Sequence, residues 1–213
     1  MSEERERQVK SRQRVTEHGE VFTNLREVRA MLDLVKPETE RMDSRFLEPA
    51  CGDGNFLSEI LRRKLAVCGQ RARGKAYTQL QYEQAAILAL SSIYGIELLA
   101  DNVAACRARL LGIFVEQYVA LYGKSHRAGC VTSATYLLSK NIIHGNALTY
   151  HRVDAPEQWI EVSEWSMIGN GMVNRRDYDF KYMVDRSFFS DQPVATYQPV
   201  YFLNLNAQAY GEE

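Results

Sequence analysis

The chain has only four cysteines in 213 residues, and Cys51, Cys68, Cys106 and Cys130 show no paired metal-ligand spacing. Scattered thiols argue against a zinc site and fit a reducing cytosol better than a disulfide framework. No apolar run is long enough to span a bilayer, and the charged N-terminus holds no signal-peptide core. The sequence therefore predicts a soluble, cytoplasmic protein. Charge of one sign is lacking too: the formal net charge is −1, so bulk electrostatics does not announce a nucleic-acid binder. A neutral total can still hide a local basic patch. The five prolines include no adjacent pair. What is present is ordinary for a globular chain: 46% hydrophobic and 25% charged residues suit one domain with a filled core, with or without a small appendage.

The most informative stretch is Phe46-Leu47-Glu48-Pro49-Ala50-Cys51-Gly52-Asp53-Gly54-Asn55-Phe56-Leu57. A short apolar run ends in an acid, a glycine-containing turn follows, and an amphipathic segment begins at Asn55. That order predicts strand, tight turn and helix N-terminus, with Gly52 and Gly54 permitting unusual dihedrals and close approach to a ligand. An acid at the strand end suits an amino or hydroxyl group better than a phosphate. The turn also lacks the Gly-Lys-Ser/Thr of a P-loop.

Periodicity places the remaining elements around it. Met1 to Arg14 is dense in charge and reads as a solvated or partner-docking segment, because Glu3, Glu4 and Glu6 dilute its basic residues. Asn24 and Glu27 have capping-box spacing for a helix from Leu25 to about Val35, stopped by Pro37. A helix from Asn55 to about Val67 turns Phe56, Leu57, Ile60, Leu61 and Leu65 inward, and Cys68 to Lys75 reads as a basic, glycine-bounded loop, either solvated or phosphate-contacting. A second helix spans Tyr77 to Leu90. Ser91 to Glu97 is a strand ending in an acid, placed where doubly wound sheets hold ribose hydroxyls. A long helix from Asp101 to about Tyr122, a loop from Gly123 to Ser133, and a third strand within Lys140–Leu148 follow. Asn170-Gly171 between β-prone stretches is a hairpin signal, pairing about Gln158–Ile168 with Met172–Tyr178. Beyond it lie a short helix from Asp179 to about Phe188 and a strand candidate at Pro199–Leu203. Arg175, Arg176, Tyr178 and Tyr182 make either a solvated hairpin face or a surface for nucleic acid or protein.

Glu48-Pro-Ala-Cys-Gly-Asp-Gly-Asn-Phe56 resembles the S-adenosylmethionine (SAM) motif of the adenine-N6 DNA methyltransferases over nine consecutive positions. Gly19-x-x-Phe22-Thr23 resembles the segment that precedes it in that family, with Asn24 replacing the usual proline. Ile96-Glu97 and Gly145-Asn146-Ala147-Leu148 resemble its second and third cofactor motifs. The resemblance covers about Gly19 to Leu148 and implies a Rossmann-like α/β sheet with helices on both faces, followed by a β-hairpin extension. The implied division is a charged tail at 1–16, a SAM-binding domain at 17–150, and the extension at 151–213. It implies SAM as cofactor and no metal. Phe22 and Thr23 would cover the methionine end, and Glu48 with the turn Ala50, Cys51, Gly52, Asp53, Gly54, Asn55 and Phe56 would surround methionine and ribose. Glu97 would take the ribose hydroxyls and Leu98 would pack on adenine. Asn146, beside Ala147 and Leu148, would meet the adenine amino group, or else serve as a polar turn residue. His144 reads as a partly buried strand residue.

The family's acceptor loop, Asn/Asp/Ser-Pro-Pro-Tyr/Phe, is missing. Ile168-Gly169-Asn170 imitates its approach, but Gly171-Met172 follows, and Asn170 reads as a turn residue. No catalytic residue is assigned. Two functions remain. One is a restriction-modification-type DNA methyltransferase whose acceptor site is unconventional or supplied by a partner: a specificity, restriction or second methylation subunit. The other is a catalytically silent SAM-binding subunit of a DNA modification or defence complex.

Overall fold

The computed structural model describes residues 12–18, 21, 23–185 and 192–212. The chain is mixed α/β, about half helical, with two separate four-stranded sheets. Two short N-terminal helices, α1 (Arg12–His18) and α2 (Leu25–Asp33), precede a single helical turn, α3 (Lys36–Thr39). Asn24 caps α2 by accepting the Arg26 N–H at 2.9 Å. Pro37 does not stop α2. The helix ends before it, and Pro37 occupies the first turn of α3, where a missing N–H costs nothing.

The first sheet runs β1 (Phe46–Glu48), β2 (Ile93–Glu97), β3 (Ile142–Asn146) and β4 (His151–Arg152), in that order across the sheet. β1, β2 and β3 are parallel, in register Glu48↔Gly95 and Gly95↔Ile142; β4 is antiparallel to β3. Long crossovers join the parallel strands: α4 (Asn55–Arg73) and α5 (Gln79–Ser91), then α6 (Ala100–Tyr122) and α7 (Ala128–Asn141). The apolar residues Val103, Cys106, Leu110, Phe114 and Tyr118 recur at helical spacing along α6 and are all buried.

Two loops expected from glycine are helix instead. α4 continues through Cys68 and Gly69 to Arg73, because Cys68 is buried and Gly69 packs against Leu121 of α6. α7 begins at Ala128, with Gly129 in its first turn. A Cβ there would stand 2.7 Å from the Leu203 carbonyl, so packing and not turn geometry explains this glycine. Gly123–Ser125 is a 3-10 turn that closes α6.

α4 and α6 cover one face of the parallel strands. The second sheet, β5 (Glu161–Ile168), β6 (Met172–Asp179), β7 (Ala195–Thr196) and β8 (Val200–Tyr201), packs against α5 and α7 and reaches β2 through Tyr94. The Tyr94 hydroxyl of β2 donates to the Ser163 carbonyl of β5 at 2.9 Å, and Trp165 Nε1 donates to Asn141 Oδ1 at 2.8 Å. β5 and β6 form the expected hairpin, with Asn170 at φ 62° and Gly171 at φ 73° in its turn. A six-residue helix, α8 (Phe180–Asp185), follows; the rest of the helix expected to Phe188 lies outside the described residues.

Arg175 does not lie on a solvated face. Its guanidinium is buried, donating to Asp177 at 2.9 and 2.5 Å, to Glu212 Oε1 at 2.6 Å and to the Tyr136 hydroxyl at 2.7 Å. The rings of Tyr197, Tyr210 and Trp165 enclose it, Tyr197 nearest at 4.3 Å. The C-terminal segment is thereby clasped to the second sheet. Lys64, in the middle of α4, is likewise fully buried and donates to the Met42 and Ser44 carbonyls and Ser92 Oγ.

One edge of the first sheet is open. Phe46 N–H donates inward to the Ser92 carbonyl, so alternation turns the Leu47 N–H and carbonyl outward. Among the described residues no strand pairs there, and Leu47 is 45% exposed.

Candidate functional site

The carboxyl ends of β1, β2 and β3 meet at a cavity of about 480 Å³, in the range of small-molecule sites. β1 contributes Glu48 with the following Pro49, Ala50, Cys51 and Gly52. β2 contributes Glu97, with Leu98 and Leu99 after it, and β3 contributes Asn146, with Ala147 and Leu148. Asn55 and Phe56 of α4, with Val21 and Thr23 before α2, complete the wall. Residues named from sequence and up to 125 positions apart thus share one cavity. Phe22 lies outside the described residues. Asp53 and Gly54 are in the turn but not on the wall.

The turn is built by backbone geometry. Cys51 N–H donates to the Ile96 carbonyl at 3.1 Å, and Gly54 N–H to the Cys51 carbonyl at 2.9 Å. Gly52 and Gly54 take φ 54° and 89°, which side-chain-bearing residues rarely adopt. Gly54 caps α4 with Cys106 Sγ directly beneath it. Gly95 opens room for the turn: a Cβ would meet Cys51 Sγ at 2.7 Å and Leu57 Cδ1 at 2.9 Å. Gly95→Ala is therefore expected to destabilise the fold by about 1–3 kcal/mol, as overpacking does. Urea denaturation measures the loss; an unchanged midpoint would show that the turn moves freely.

Glu97 ties the turn to β2. Its Oε2 accepts the Gly52 N–H at 2.9 Å; Oε1 accepts the Leu99 N–H at 2.9 Å and Asn102 Nδ2 at 3.3 Å. A carboxylate offers about four acceptor positions, so these three bonds leave one for a ligand hydroxyl, and the bond from Asn102 is the longest of the three. Glu48 differs: burial pushes its carboxyl up to about 7. Asn146 Oδ1 accepts the Leu148 N–H at 2.9 Å and the Thr149 N–H at 3.4 Å, which makes it a turn residue as well as a wall residue. His144 is half-buried in β3, its Nε2 3.1 Å from the Leu98 carbonyl. Leu148 is 91% exposed at the mouth.

The N-terminal segment reaches the same place. Arg14 of α1 forks onto Asp101, in the first turn of α6, at 2.7 and 3.1 Å, and Asn55 Nδ2 donates to the Thr23 carbonyl at 3.1 Å. Arg109 of α6 grips Asp53 and Asn55. No local pattern in the sequence marks Arg14, Arg109 or Cys106 as belonging to a site, since each acts across a helix–turn contact.

Among the described residues the wall contains two carboxylic acids and no lysine or arginine. A phosphate ligand would find no countercharge, whereas an ammonium or sulfonium group, a diol and a flat apolar ring would each find a partner. The four cysteines are buried and unpaired. Among the described residues no group of three or more His, Cys, Asp or Glu is placed to hold a metal ion, and no helix is long and apolar enough to cross a membrane. Comparisons with protein-family models, with curated proteins and with solved structures find no match for this chain.

Proposed function

We propose that the chain is a SAM-binding, methyltransferase-like protein, resembling the adenine-N6 DNA methyltransferases of restriction-modification systems. The observation that carries this is the cavity wall, with an acid at the end of β1, an acid at the end of β2 and no cation among the described residues. SAM brings an ammonium, a sulfonium, a ribose diol and an adenine. Glu48 suits the ammonium, Glu97 the diol, and Leu98 with Ala147 and Leu148 the ring. Bound SAM would supply an electrophilic methyl group; the chain's part is to orient it. The parallel order β1-β2-β3, with the site at the strand ends, supports a Rossmann-like assignment.

The acceptor half of the site is degenerate or comes from a partner chain. Asn170 stands in the hairpin turn at positive φ and does not line the cavity. The open edge of β1, directly beside the mouth, would accept a strand from a specificity, restriction or second methylation subunit. The second reading, a catalytically silent SAM-binding subunit of a DNA modification or defence complex, is favoured by the missing Pro-Pro loop. Calorimetric titration with SAM tests the shared premise, and absence of heat at high micromolar protein would retire it. Tritiated methyl transfer to adenine-containing DNA, with and without the products of neighbouring reading frames, separates the two readings.

Glu48 gives a pH signature. Its folded carboxyl titrates near 7, above the unfolded value of 4.5, so the folded state holds the extra proton between those values. Stability from this group is present below pH 4.5 and is lost as pH rises through 7. SAM's ammonium, by favouring the carboxylate, should release that proton. At pH 6 the binding heat of the unaltered chain is expected to vary with the buffer's ionisation enthalpy. That of Glu48→Gln should not; equal variation in both would remove Glu48 from the ammonium's surroundings.

A further inference from the structure

Arg109 lies on α6, outside the cavity wall and about a third exposed. Its guanidinium nonetheless holds both neighbours of Gly54. Nη2 donates to Asp53 Oδ2 at 2.8 Å, Nη1 to Asp53 Oδ1 at 3.2 Å, and Nη1 also to Asn55 Oδ1 at 2.6 Å. Asn55 then donates from Nδ2 to the Thr23 carbonyl at 3.1 Å, and Thr23 is part of the wall. The turn is thus gripped at two levels, by the end of β2 and by α6. Glu97, just before the helix, holds Gly52 N–H, and Arg109 holds the residues on either side of Gly54. Between these points Cys106 Sγ fills the space below Gly54.

Gly54 has no side chain to fix its φ of 89°, so the backbone there is inherently permissive. Something outside the turn must select one conformation. A planar fork that meets a carboxylate on two atoms and a carboxamide on a third restrains both flanks together. A lysine in the same place would restrain them through a single point charge.

We infer that Arg109 is a positioning residue for the site, setting the Gly52–Gly54 turn and, through Asn55, the Thr23 segment in the arrangement that receives the ligand. Taking that ligand as SAM rests on the function proposed above; the restraint on the turn does not. It acts by pre-organisation, so its loss is felt in affinity more than in stability.

The test compares the unaltered chain with Arg109→Ala and Arg109→Lys by SAM calorimetry, thermal melting and amide hydrogen exchange over residues 51–57. Arg109→Ala is expected to weaken SAM by about tenfold, Arg109→Lys by less, with little change in melting because the ion pair is partly exposed. Exchange of the turn amides should quicken in Arg109→Ala, and free guanidinium ion at low concentration should restore affinity to that variant without improving the unaltered chain. Equal SAM affinity in Arg109→Ala and the unaltered chain would overturn the proposal. Should the unaltered chain take up no SAM, the cofactor reading fails, and turn exchange decides: unchanged rates in Arg109→Ala overturn the positioning role. Should the alanine variant unfold, the same comparisons are made on Arg109→Lys.

Discussion

Glu97→Ala is expected to lose SAM binding by at least about a hundredfold. Hydrogen bonds to a charged group contribute about 1.5–3 kcal/mol each, so two to a ribose diol amount to about 3–6 kcal/mol, and about 1.4 kcal/mol is a factor of ten. The substitution also leaves the Gly52 and Leu99 N–H groups without their acceptor, which loosens the turn that forms the rest of the wall. Glutamine is not a mild replacement here. Both carboxylate oxygens accept backbone N–H groups, so a carboxamide necessarily points its own NH2 at one donor. Calorimetry reads the affinity and circular dichroism shows whether the variant is folded. A folded Glu97→Ala protein that binds SAM like the unaltered chain would remove the ribose assignment.

The largest stability effect is expected far from the cavity, at Asp177→Ala. Asp177 is 1% exposed and carries the bidentate pair with Arg175, itself 3% exposed. Removing one partner of a buried pair strands the other charge and costs about 3–5 kcal/mol. Glu212 remains as a counter-charge at 2.6 Å, partly exposed, which places the loss towards the lower end of that range. For a chain of this size the melting temperature should fall by roughly 6–15 °C. Replacing both partners, as Arg175→Met with Asp177→Leu, should lose less than Asp177→Ala alone, since no unpaired charge is left behind. Denaturant titration of the three proteins settles it. A double variant less stable than the single one would mean that the clasp on the C-terminal segment, and not the buried charge, dominates.

Several features were legible along the chain for local reasons. An acid closing each of the first two strands, a glycine turn between strand and helix, and Asn170-Gly171 between β-prone runs are short-range patterns whose geometry neighbouring residues dictate. The helix boundaries at Arg73 and Ala128 were not legible in the same way. Gly69 and Gly129 read as breaks because glycine often is one, yet both sit in helices, Gly69 buried against α6 and Gly129 where the Leu203 carbonyl comes too close for a side chain. Cys68 was a clue that the apolar stripe continues, but a single position could not outweigh the glycine. Arg175 reads as a surface cation because such residues seldom lie inside a protein, and nothing local marks Lys64 as an exception either. Apart from Asp177, the carboxylate, carbonyls and rings that make burial tolerable come from residues well separated in sequence.

The stretch from Glu48 to Phe56 marks a strand, a turn and a helix start locally, because two glycines permit the positive φ that such a turn uses. Closing that turn into a cavity lay beyond it. Glu97 arrives 45 residues later to accept the Gly52 N–H, Asn146 lies on the next strand, and Arg109 reaches back from α6 to fix Asp53 and Asn55. Local sequence sets which dihedrals each residue can adopt. The pairing of buried or shared polar groups over long separations sets which of those are kept, and that pairing exists only once the strands and helices have packed.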